Sequence, residues 1–154
     1  MPPNRVRIDQ QQAELVKSLL SESGNTAPFQ TYADVLVFAA ALGVRYQWRT
    51  PITTTAKEPT PINLDIFVSR GYDWLIQLIA IATTNNPKIL SLYDNEAENE
   101  RLRIFEEYAN GGLIKLRDEL KGSVDYSETI ALLLNQERHK QSETVGEFDL
   151  TRFL

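Results

Sequence analysis

The reading of one stretch decides the fold: Pro28-Phe29-Gln30-Thr31-Tyr32-Ala33-Asp34-Val35-Leu36-Val37-Phe38-Ala39-Ala40-Ala41-Leu42-Gly43-Val44. Thr31 is a good N-cap because its hydroxyl can accept from the amide three residues on. Asp34 lies in the first turn, where the helix dipole favours an anion, and Gly43 can close the far end. Between these caps the side chains are apolar on nearly every side, with Tyr32, Val35, Leu36, Ala39 and Leu42 on one face and Val37, Phe38, Ala40 and Ala41 on the others. A helix without a polar face has to be buried all round. Residues 31 to 43 are therefore expected to form the central helix, wrapped by more amphipathic ones.

Working outward toward the N-terminus, residues 4 to 9 (Asn-Arg-Val-Arg-Ile-Asp) alternate polar and apolar. An extended segment would place Arg5, Arg7 and Asp9 on one face and Val6 and Ile8 on the other. So short a strand cannot stand alone; it pairs with its copy in another subunit or lies along the core as an arm. Asp9 then caps a helix whose buried stripe is Ala13, Leu15, Val16, Leu19 and Leu20.

Beyond the central stretch, Val44-Arg45-Tyr46-Gln47-Trp48-Arg49 interleaves two arginines with two large aromatics. Two readings stand. The arginines meet phosphates while the aromatics offer stacking faces, or Tyr46 and Trp48 pack on the core edge while the arginines are solvated. Residues 50 to 61 hold three prolines and a threonine run and read as an extended connection, a sub-boundary within one helical domain spanning 1–140. A short helix is expected over 63–69 and a second apolar rod over 72–82. A helix over 94–110 starts on an acidic run, Gly111-Gly112 breaks it, and short helices follow over 113–121 and 126–138. The tail, 141–154, is polar except for Phe148, Leu150, Phe153 and Leu154, which are expected to dock on the domain or on a partner. The fold class expected is all-α, a compact bundle of about six helices with a short extended N-terminal segment.

Composition narrows the chemistry. The 154 residues include no cysteine and a single histidine, His139, in a polar stretch. That leaves no thiolate nucleophile, no zinc site of the cysteine type and no easy catalytic triad. The apolar runs fall short of the roughly 18 residues a membrane span needs, and no signal peptide is visible, so a cytoplasmic chain without membrane contact is expected. Net charge is −5, distributed as +1 over residues 1–50 (five basic, four acidic) and −6 over the rest. An anionic partner would therefore meet the N-terminal part. The acidic run at 94–100 lacks the glycine and oxygen spacing of a calcium loop. Phosphate loops, paired-histidine metal motifs and nucleophile elbows do not occur, so no catalytic residue, metal ligand or cofactor is assigned.

Several longer strings are distinctive: Arg5-Val6-Arg7-Ile8-Asp9 with Ala13 to Leu20, then Phe29 to Gly43, then Ser69-Arg70-Gly71-Tyr72-Asp73, and Ile104-Phe105-Glu106-Glu107-Tyr108-Ala109-Asn110-Gly111-Gly112-Leu113. Over about residues 4 to 138 they make the chain resemble the DNA phosphorothioation-associated protein 4 family, small bacterial proteins found beside the Dnd genes. That machinery replaces a non-bridging phosphate oxygen of DNA by sulfur and restricts DNA lacking the mark, a phage-defence setting. The resemblance carries over no catalytic residues.

It implies a setting and leaves the molecular job open; with no catalytic chemistry in the residues, the first expectation is a non-enzymatic accessory subunit with other Dnd-system proteins as partners. Direct DNA contact through Arg5, Arg7, Arg45, Arg49 and Trp48 is the expectation, with a slope of log K against log salt of about −3.6 for four phosphates. A ribbon-helix-helix-like transcriptional regulator, a homo-oligomer through its N-terminal strand, is one alternative. A pure assembly module without DNA contact is the other.

Overall fold

The computed structural model describes residues 4–20 and 27–146. Six α-helices and one two-stranded ribbon make up this part, which is mostly α as expected. The N-terminal arm contains β1 (Arg5–Val6), followed by α1 (Ala13–Ser18) and α2 (Tyr32–Arg45). Next come β2 (Ile62–Asn63), α3 (Leu64–Ser69) and α4 (Asp73–Thr84), and the chain closes with α5 (Asn95–Leu120) and α6 (Tyr126–Gly146).

The hub is α5 rather than α2, since α5 packs on α1, α2, α4, α6 and the arm. Its length is the main departure from the expected elements: it runs unbroken through Gly111-Gly112. Here the glycines serve close approach. A Cβ on Gly112 would lie 1.6 Å from the Ala39 carbonyl oxygen of α2, and one on Gly111 would lie 1.8 Å from the Trp48 oxygen. Gly43 belongs to the same seam, with a Cβ there 2.1 Å from the Tyr108 oxygen; α2 does not end at Gly43 but continues to Arg45. Where two helix backbones touch in this way, only the absence of a side chain lets them meet.

Thr31 caps α2 as expected, its Oγ1 accepting from the Asp34 N–H at 3.2 Å. Val35, Leu36, Ala39 and Ala40 are buried, but Ala41 is exposed and Val37 and Phe38 are only half-buried. The helix is thus open on one side, at little cost because alanine offers small apolar area to water. The second rod, α4, likewise buries Ile76, Ile79 and Ala80 and leaves Trp74 and Leu78 exposed. The core closes where Phe67 of α3 meets Phe105 of α5 edge-on, with ring centroids 5.5 Å apart.

The arm keeps its alternation, Val6 and Ile8 buried with Arg5 and Arg7 outward, and finds its strand partner within the chain. Val6 is opposite Ile62 and Arg5 opposite Asn63; farther along, Ala56 N–H donates to the Ile8 carbonyl at 2.7 Å and Gln10 N–H to the Thr54 carbonyl at 2.8 Å. Asp9 caps the turn ahead of α1, as expected. It is buried, accepting from the amides of Gln11 and Thr53 and from the Thr53 hydroxyl. Burial pushes its carboxyl up, and these donors outweigh that and hold it below its ordinary value. Residues 50 to 61 are accordingly threaded along the arm and α5, where Asn110 Nδ2 donates to the carbonyls of Thr50 and Pro51.

Candidate functional site

Each arginine of the expected nucleic-acid face can now be placed. Arg7 forks onto Glu106 of α5, Nη2 to Oε1 at 2.7 Å and Nε to Oε2 at 3.1 Å, and its backbone N–H donates to the same carboxylate at 2.7 Å. The hydrogen bonds to Glu106 raise the Arg7 pKa against the opposing effect of burial. Arg49 donates Nε to Glu107 at 3.0 Å, with its guanidinium 5.8 Å from the centre of the Tyr108 ring. Glu107 also receives Arg103, which in turn grips Glu100 at 2.5 Å. Arg7 is thus paired with Glu106, while Arg49 and Arg103 share Glu107 and Arg103 also holds Glu100, three cations against three anions.

Arg45, the last residue of α2, turns elsewhere, to α6. Its Nε donates to Glu137 at 2.8 Å, and the Tyr46 hydroxyl donates to the other oxygen of that carboxylate at 2.5 Å. Tyr46 and Arg45 hold the Glu137 carboxyl down at about 2, while burial and then Glu137 push the Tyr46 phenol up to about 12. Lys115 lies 4.8 Å from the centre of the Tyr46 ring. Tyr46 therefore packs at the core edge. Trp48 is 39 % exposed, with its backbone N–H bonded to the Gly43 carbonyl. Arg5 alone of the four arginines is exposed with no ion pair among the described residues. Phe148, Leu150, Phe153 and Leu154, expected to meet a partner, lie outside the described residues.

Sequence reasoning passed over three features. Arg70 forks onto Asp34 at 2.9 and 3.0 Å while the Tyr72 hydroxyl donates to Asp34 at 2.5 Å, tying the start of α2 to the turn before α4. These residues fall within two of the distinctive strings, which were the available signal. Large apolar side chains also stand in solvent on α3 and α4 and in the turn after it: Val68, Trp74, Leu78, Leu92 and Tyr93. Finally, a groove of about 770 Å³ separates the N-terminus of α2 from the loop over residues 57–63. Among the described residues no group of three His, Cys, Asp or Glu side chains could hold a metal ion, and no helix is long and apolar enough to cross a membrane.

Neither a curated protein nor a solved structure matches the chain. A family model does, over residues 5–153, and it is described as DNA sulphur modification system-associated protein 4. With nearly the whole length matched, from the arm through α6, the chain belongs to that family.

Proposed function

We propose that this protein is a non-catalytic assembly subunit of the DNA sulphur modification system, working through protein contacts and not through an arginine grip on DNA. The observation that carries this reading is the neutral network on α5. Arg7 and Arg49, together with Arg45 against Glu137 of α6, already have carboxylate partners at 2.7 to 3.0 Å within the chain. Binding a phosphate with any of them would expose a carboxylate beside it, so Coulomb attraction to DNA is cancelled locally. Net charge of −5 adds repulsion at longer range. The exposed apolar side chains of α3 and α4 fit a protein interface better than a DNA backbone. The apolar residues Phe148, Leu150, Phe153 and Leu154 are a further segment to offer a partner.

The strand that a ribbon-helix-helix dimer would take from a second copy is supplied by Ile62–Asn63 of the same chain, which favours an arm that is structural. The test is co-purification with each component of the sulphur modification machinery, alongside fluorescence anisotropy on plain and phosphorothioated duplexes. One component is expected to be retained by the wild-type chain and by Arg5→Ala. Of the four arginines only Arg5 has no carboxylate partner among the described residues, so DNA binding through that face should show a log–log salt slope no steeper than about −0.9. A slope near −3.6 would restore the four-arginine DNA face and end the assembly-only reading.

A further inference from the structure

A small socket opens between α3, α4 and the start of α5, with a volume of about 180 Å³. Its walls are Leu64, Ile76 and Leu102, and its lip is formed by Val68 and Leu92, which are 48 % and 67 % exposed. Cofactor pockets run to about 300–1,000 Å³, so this one suits a single long side chain.

Two carboxylates line it, Asp73 and Glu98. Elsewhere in the fold the sheltered carboxylates of Asp34, Glu106, Glu107 and Glu137 each have a cation. Asp73 and Glu98 have neither a cation nor a hydrogen-bond donor among the described residues. Both sit in the first turn of their helices, where the dipole favours them without neutralising them. Arg70, three residues before Asp73, is taken by Asp34, and Arg101 follows Glu98 by three residues, the spacing at which helical side chains meet. It points its Nη1 instead at the carbonyls of Ile89 and Ser91, at 2.6 and 2.9 Å, and is 7 % exposed. Arg101 also lines the socket, so the site holds one positive and two negative charges, and an incoming anion would face the larger opposing charge.

We infer that this socket receives a lysine or arginine side chain from an apolar, basic segment of a protein partner, its aliphatic stem along Val68 and Leu92 and its charged end beside Asp73 and Glu98. The inference rests on the assembly reading above. The surroundings agree in charge: residues 64–101 carry six acidic and three basic side chains. They agree in character as well, because Trp74 and Leu78, one helical turn apart on the same helix α4, are also exposed. Long cationic side chains lay their methylenes on apolar surface while the head seeks an anion, and such residues recur as interface anchors.

The test uses the full chain and three peptides, acetyl-Leu-Arg-Leu-amide and its citrulline and glutamate counterparts, titrated against the ¹⁵N NMR signals of the Gln77 side-chain amide and the amides of Leu92 and Glu98. The arginine peptide is expected to shift these signals saturably, and the isosteric neutral citrulline peptide about tenfold more weakly, as loss of a charge-assisted contact predicts. The variant Asp73→Asn with Glu98→Gln, its fold checked by circular dichroism, should lose the arginine preference. Equal response to arginine and citrulline, preference for glutamate, or no response at these positions overturns the inference. Co-purification that survives the double variant also overturns it and leaves assembly standing, whereas a wild-type chain that retains no component overturns assembly itself.

Discussion

Replacing Gly112 by alanine tests the packing on which the fold depends, because two effects of opposite sign compete there. In an exposed helix interior the change would stabilise α5 by about 1 kcal/mol, the usual propensity difference. In the structure the new methyl carbon would lie 1.6 Å from the Ala39 carbonyl oxygen and 2.5 Å from its carbon, where ordinary contact begins at 3.4 Å. Both obstacles are backbone atoms, so no rotamer relieves the clash, and α2 and α5 must separate locally by about 2 Å. Overpacking of this kind costs about 3 kcal/mol, the upper end of the usual range, which outweighs propensity and leaves a net loss of about 2 kcal/mol. For a domain of this size that lowers the melting temperature by about 4–8 °C. Thermal unfolding followed by circular dichroism at 222 nm reads the effect. Gly122→Ala is the control, since φ is +79° with nothing within 4 Å of the added carbon; it should cost about 1 kcal/mol through backbone strain alone. A melting temperature for Gly112→Ala at or above wild type would refute direct backbone contact between α2 and α5.

Three other outcomes follow from the polar contacts. Arg7→Ala leaves Glu106 buried without its cation; because Arg7 itself is half exposed, the loss should be about 2 kcal/mol in urea unfolding, against less than about 0.5 kcal/mol for Arg5→Ala. Glu137 is held at about 2 in the fold against an ordinary 4.5, so its contribution is fully present above pH 4.5 and disappears as pH falls toward 2. Melting temperatures measured across that window should drop less steeply for Glu137→Gln than for wild type. Thr31→Ala removes the cap of α2 and should cost about 1 kcal/mol by the same urea assay, with the melting of Thr31→Ser close to wild type.

What could be read from residues alone was governed by how local each signal is. The Thr31 cap, the Asp9 cap ahead of α1 and the inward alternation of Val6 and Ile8 involve neighbours a few positions apart, and all three are present. Gly111 and Gly112 were misread because a glycine pair looks the same whether it ends a helix or admits another backbone. The distinction lies in Ala39 and Trp48, some seventy positions away in sequence. The arginines show the same limit. Counting charge over residues 1–50 gives an excess of one cation, yet the carboxylates that neutralise Arg7, Arg45 and Arg49 come from positions 99, 92 and 58 residues later. Exposure of α4 was hidden for a different reason: hydrophobic composition reports a wish for burial, and Trp74 and Leu78 stay exposed among the described residues.

The N-terminal arm carries a consequence for the order of events during synthesis. Its residues emerge before their partners: the backbone groups that clasp Ile8 and Gln10 belong to positions 54 to 56, and the carboxylate that receives Arg7 belongs to position 106. At ordinary translation speeds of about 5–20 residues per second, the leading segment waits about 5–20 s before Glu106 exists. A segment made before its partners is among the last to be locked. During that wait Val6 and Ile8 are uncovered on the nascent chain, so a bulky fusion ahead of Arg5 would interfere with final closure far more than with the helices already made.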